Sequence, residues 1–155
     1  MLESTIEESP LIQRVRAILL TEEKEILFIK RVKPDKPTPY WVAPGGGVER
    51  EDSSLLQALH RELDEELGAR AEVLKHGFVL RHNIAEKNLE EHFFICRLLD
   101  YDLSLRNGPE FADPKRGDYI PDAIALNSDA ISALNLKTEE LRDWLLNNLE
   151  SLREL

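Results

Sequence analysis

Pro44-Gly45-Gly46-Gly47-Val48-Glu49, followed after a short polar stretch by Arg61-Glu62-Leu63-Asp64-Glu65-Glu66-Leu67-Gly68, is the part of the chain that decides the fold. The second segment closes a helical pattern over 55–67, in which Leu56, Leu59, Leu63 and Leu67 recur on one face. Ser53 or Ser54 caps its start, and Gly68 stands where a C-terminal cap belongs. Glu62, Glu65 and Glu66 lie at i, i+3 and i+4, so they are neighbours on the helix surface. At roughly 100° per residue their face borders the leucine stripe, which sets them at the edge of the core. Crowded carboxylates repel, and partial burial adds a desolvation cost. A cation offsets both. Oxygen ligands at this density suit Mg²⁺ or Mn²⁺, whereas zinc prefers nitrogen and sulfur. A bare Glu-x-x-Glu-Glu is most often a solvated face; the glycine run upstream, in the right order, weighs against that here.

Outward from this segment the chain alternates strands and helices. Residues 12–21 and 25–31 are rich in branched apolar side chains and read as strands, joined by polar Glu22-Glu23-Lys24 into a hairpin. Residues 41–43 are extended, because the residue before Pro44 is pushed out of the helical region. The three glycines then end any regular element. Two further strands are expected over 72–81 and 91–99, a last one over 119–126 weakened by Pro121, and a helix over 138–149 with Thr138 as its cap. The proline-bearing stretches 33–40 and 107–114 read as loops. Strands on both sides of a central helix, with a second helix at the end, predict a mixed sheet packed between helices.

The 155 residues carry a formal net charge of −10 and are 42% apolar. The length fits one domain over 1–155, with 1–10 as a flexible leader. The acidity argues against binding a nucleic acid polymer, which needs clustered cations. An acidic protein that acts on phosphates places a metal between the two. The single cysteine, Cys96, sits in an apolar run and reads as a packed thiol, which fits a reducing, cytoplasmic setting. The N-terminus lacks the apolar core of a signal peptide, and no stretch has membrane-spanning length.

The glycine loop and the carboxylate helix together resemble the Nudix box, G-x5-E-x7-R-E-U-x-E-E-x-G-U, where U is a bulky aliphatic residue. Arg61, Glu62, Leu63, Glu65, Glu66 and Gly68 match it in order, and the lead-in 41–46 is similar to the family's approach to the box. The spacing upstream departs from it. Counting back from Arg61 puts Gly47 on the glycine and Ser53 on the acid. Counting forward from Gly46 puts Asp52 there, with one residue inserted before the helix. The second alignment is preferred, and it lets Asp52, or Glu51, brace the loop through Arg61. The final aliphatic position is Ala69.

The resemblance implies an α/β/α sandwich with a mixed sheet. It implies Glu62, Glu65, Glu66 and a carbonyl near Gly46 as metal ligands, and Arg61, Glu65 and Glu66 as catalytic positions. Glu66 or a loop carboxylate among Glu90, Glu91 and Glu110 is the candidate base. Arg31, Gly47 and Glu49 are candidates for substrate contact. The implied activity is Mg²⁺- or Mn²⁺-dependent hydrolysis of a pyrophosphate bond in a nucleoside diphosphate linked to another group. No proline or tyrosine lies between Gly68 and Arg97, which leans toward a nucleoside triphosphate or a damaged nucleotide. A homodimer is compatible with the resemblance. The alternative is a non-catalytic nucleotide-binding module on the same fold.

Overall fold

The computed structural model describes residues 10–155, so the leader expected over 1–10 lies, up to residue 9, outside the described residues. Strand β1 (Leu11–Leu20) is the centre of the sheet. Its alternate side chains serve two cores. Val15, Ala17 and Leu19 pack with Ala58, Leu59, Leu63 and Leu67 of helix α1 (Leu55–Leu67) on one face. Ile18 and Leu20 face the other way, toward Ile131, Leu141 and Leu145 of α2 (Ser128–Ala133) and α3 (Glu139–Asn147). A sheet with apolar layers on both faces is an α/β/α sandwich, as the sequence predicts. Full burial of Leu59, Leu63 and Leu67 contributes roughly 2 kcal/mol each.

The seven strands form one mixed sheet. β1 runs parallel to β6 (Lys87–Tyr101) over ten residue pairs, Leu11–Asn88 to Leu20–Arg97. β2 (Glu25–Val32) pairs antiparallel with β1, β3 (Tyr40–Val42) and β7 (Asp118–Ala125). β5 (Ala69–Ile84) forms a long hairpin with β6, turning through Ala85 and Glu86 at φ 49° and 65°. Pro121 is accommodated because β7 is an edge strand, paired among the described residues with β2 alone.

The structure differs from the sequence expectation in four places. Gly45–Gly47 does not end the regular structure; it is strand β4, paired antiparallel with Arg14–Arg16 of β1. The second helix is broken at Asn148 into α3 and α4 (Leu149–Arg153). Helix α2, capped by the Asn127 side chain on the Ala130 N–H, is too short to show a periodic stripe. Leu56 has the azimuth of the α1 stripe but is 42% exposed, because the first turn of the helix is poorly covered. Of the two capping serines, Ser54 serves, accepting from the Gln57 N–H at 3.0 Å. Gly68 closes the helix in the left-handed conformation. Cys96 is buried, and burial pushes its thiol up to about 12. Among the described residues no helix is long and apolar enough to cross a membrane.

Candidate active site

Helix α1 lies against strand β4, and the carboxylates meet the glycines there. Glu66, 8% exposed, accepts a hydrogen bond from the Gly45 N–H at 2.8 Å. Burial pushes its carboxyl up to about 8, against the opposing pull of the Gly45 N–H and of Arg16. Glu62 is likewise held above the ordinary carboxylate range, first by burial. Its carboxylate packs on Gly46, where an added Cβ would stand 2.6 Å from it. Gly45 has φ +147°, and a Cβ there would stand 1.9 Å from the Val15 carbonyl oxygen. Both positions therefore need glycine, one for backbone fit and one to admit the carboxylate.

Arg61 gathers the rest. Its Nε and Nη2 donate to the two oxygens of Asp52, each at 2.9 Å, and Nη2 also donates to the Gly47 carbonyl at 2.9 Å. Nη1 reaches Glu62 at 3.2 Å and both oxygens of Glu65 at 3.3 Å, with Glu49 at 3.5 Å. Asp52 also accepts from the Glu49 N–H at 2.8 Å, and its carboxyl is held below the usual range chiefly by Arg61. Asp52 thus ties loop to helix across the one-residue insertion. Gly47 has open space where a side chain would be.

The donors here are hard carboxylate oxygens, two of them held above their ordinary pKa by burial. That chemistry fits Mg²⁺ or Mn²⁺, with Glu62, Glu65 and Glu66 as the residues that would hold it. Among the described residues no three acidic, imidazole or thiol groups already converge on one point, and Arg61 supplies the positive charge between Glu62 and Glu65.

The other candidates separate. Arg31 is taken up by the chain itself. Its guanidinium lies 3.6 Å from the Tyr119 ring centroid and donates to the Asp118 and Arg116 carbonyls. Glu90 accepts from Gln13, Arg81 and His92, which bring it down to about 2. Glu110 is close enough to Glu66 to raise its pKa. Glu91 is 6% exposed and binds Arg16 at 2.9 Å.

Two arginines stand in places the sequence reading did not give them: Arg106, read with Lys115 and Arg116 as a solvated loop cation or an anion contact, and Arg16, which it did not single out. Arg106 donates to the Glu66 carbonyl at 2.7 Å and to Tyr119 at 2.9 Å, capping the C-terminus of α1. Arg16 stands at the wall of a 420 Å³ cavity on the sheet face opposite α1, with Trp41, Ala43, His82, Glu91 and Lys137. Its signal was parity: in β1 it shares a face with Ile18, and a cation on a covered face needs an acid partner.

The fold and site have counterparts. The NUDIX domain family matches residues 10–127, and the chain belongs to that family, whose members are hydrolases of nucleoside diphosphate derivatives and generally use divalent metal ions. The chain is similar to the solution structure of the E. coli ORF135 protein, with 22% identity over 97% of this chain and 96% of that one and a TM-score of 0.67. It is similar to a NUDIX hydrolase from Nitrosomonas europaea, with 16% identity over 92% and 90% of the chains and a TM-score of 0.69. A MutT protein from Methanosarcina mazei Go1 shares 20% identity over 97% and 100% of the chains, with a TM-score of 0.66. A comparison with curated proteins finds no match.

Proposed function

We propose that this chain, as one cytoplasmic domain, hydrolyses a pyrophosphate bond in a nucleoside triphosphate or damaged nucleotide, with Mg²⁺ or Mn²⁺ as cofactor. The observation that carries this reading is Glu66, buried against the Gly45 N–H in a helix that also aligns Glu62 and Glu65. A buried acid without a full cationic partner is costly to keep in a fold and is most often kept for its chemistry.

In hydrolysis the water oxygen bonds to phosphorus, the bridging P–O bond breaks, and the leaving phosphate takes the bridging oxygen. The water's proton passes to a carboxylate. Glu66, buried against the Gly45 N–H, is one candidate for that task, and Glu110, close to it, is the other. Glu90, at about 2, is too weak a base. The bound cation supplies charge neutralisation of the phosphates and polarises phosphorus. Arg61 keeps Glu62 and Glu65 oriented and fixes the loop through Asp52 and Gly47. Gly47 and Glu49, in the loop that Arg61 closes, are the residues proposed for substrate contact; Arg31 would have to give up the Asp118 and Arg116 carbonyls to join them. The cavity beside Trp41 has the volume and the aromatic and cationic lining for a nucleoside.

The test is release of phosphate or pyrophosphate from nucleoside triphosphates, ADP-ribose, nucleotide sugars and dinucleoside polyphosphates, with Mg²⁺, Mn²⁺ or EDTA. Metal-dependent turnover that Glu66→Gln loses supports the reading. Nucleotide binding by folded protein with no turnover favours the non-catalytic module instead. The spacing irregularity that motivates that second reading is absorbed by the Asp52–Arg61 pair. Sedimentation of the protein with and without substrate tests for the homodimer.

A further inference from the structure

Three consecutive carbonyls, at Ala43, Pro44 and Gly45, are held by two neighbouring residues of β1. The Ala17 N–H binds Pro44 at 2.8 Å, and the Arg16 Nη1 binds Ala43 at 3.1 Å and Gly45 at 3.3 Å. The same guanidinium donates through Nε to Glu91 at 2.9 Å. The side chains of Arg16 and Glu91 are 16% and 7% exposed. Gly45 is thus gripped on both sides: its C=O accepts from Arg16, and its N–H, in the preceding peptide unit whose Pro44 carbonyl Ala17 holds, donates to Glu66.

The two ends of this chain of contacts lie in different places. Glu91, Arg16 and Ala43 line the cavity, on the sheet face away from α1. Glu66 belongs to α1 on the other face. The Ala43–Gly45 backbone is the partition between them. Arg16 touches both the cavity carboxylate Glu91 and Gly45, the residue whose N–H holds Glu66. Its charge also acts on Glu62 and Glu66 across the sheet.

We propose that Arg16 is a positioning residue: anchored on Glu91, it clamps the Ala43 and Gly45 carbonyls on either side of the Gly45 N–H that binds Glu66, so that the cavity wall and the carboxylate helix move as one unit. The inference rests on the reading of Glu66 as part of the active site. A planar fork is required, because one group must serve acceptors on two separate chain segments at once. A lysine at 16 has the charge without the fork.

The experiment reads amide hydrogen exchange at Gly45 by NMR, beside kcat and KM on ATP, GTP, CTP and UTP, for wild type, Arg16→Met, Arg16→Lys and Glu91→Gln. In Arg16→Met, exchange at Gly45 is expected to rise about 10-fold while Ile95 and Cys96 in the central ladder stay protected. kcat should fall by about 10- to 100-fold with KM within about threefold, the signature of misplacement and not of lost binding. Arg16→Lys should restore neither. The double variant Arg16→Met/Glu91→Gln should match Arg16→Met alone, because both act through one contact. Unchanged exchange at Gly45, or a rise spread evenly over the whole sheet, overturns the proposal. If the wild type turns over none of the four nucleotides, the functional reading is what has failed for this substrate class, and Gly45 exchange still decides the role of Arg16.

Discussion

Arg61 and Asp52 meet through two hydrogen bonds of 2.9 Å each, and this pair closes the loop of residues 47–52 onto helix α1. The Asp52 side chain is 4% exposed. Removing its charge leaves the guanidinium without its best acceptor. Asp52→Asn should therefore cost about 1–2 kcal/mol, seen in calorimetry as a Tm lower by roughly 2–8 °C for a chain of this size. An unchanged Tm would show that Glu49, Glu62 and Glu65 can hold Arg61 without Asp52.

Glu65→Gln and Glu66→Gln keep side-chain volume and remove one charge each. Turnover should fall by about 10²- to 10⁴-fold in both, the range lost with essential charge-bearing groups. Circular dichroism should remain that of the parent. Wild-type activity in both variants would remove the carboxylate helix from the mechanism.

Glu66 also makes the metal-free protein sensitive to pH. Its pKa in the fold is about 8, above the ordinary carboxyl value of 4.5. A group raised on folding contributes stability that is fully present below its unfolded pKa and lost as pH rises through its folded pKa. In EDTA, Tm should therefore decline between about pH 5 and pH 8. Glu66→Gln should flatten that slope. A parallel decline in the variant would assign it to other groups.

Gly45 and Gly47 belong to one strand yet should answer oppositely to alanine. At Gly45 a Cβ stands 1.9 Å from the Val15 carbonyl oxygen with φ +147°, whereas at Gly47 it meets nothing within 4 Å. Gly45→Ala should destabilise by about 3 kcal/mol or more, and Gly47→Ala by no more than about 0.5 kcal/mol. Chemical denaturation of the two variants measures both.

The β5–β6 hairpin turns on two residues with positive φ, Ala85 and Glu86, neither of them suited to it. Ala85→Asn with Glu86→Gly should raise stability by about 0.5–1 kcal/mol. A fall in the denaturation midpoint would show that the turn relaxes in solution.

Much of this architecture was legible in the chain, for reasons that differ by element. The α1 stripe and its Gly68 cap are local signals, read within one window of sequence. The same holds for the i, i+3, i+4 carboxylates. β4 was hidden because three glycines have no β-propensity, and the strand forms only because β1 offers Arg14–Arg16 as a ladder. Arg16 was hidden for a related reason. Its meaning depends on Glu91, 75 residues away, and on the parallel β1–β6 register, which no local pattern encodes. The Asp52–Arg61 pair lay between. Both residues could be named from spacing, but only the folded loop decides that Asp52 and not Ser53 faces the guanidinium.

The chain has two tryptophans, and the fold gives them different neighbourhoods. Trp41 lines the cavity and donates its indole N–H to Asp122 at 2.8 Å, while Trp144 packs on Phe78 with ring centroids 5.2 Å apart. Intrinsic emission therefore has two separable sources. Trp144→Phe leaves a single tryptophan, lining the cavity, and its emission should shift or fall if a nucleobase enters there as proposed. Such a variant would be an optical sensor of occupancy, read in plain buffer without labels and without waiting for turnover.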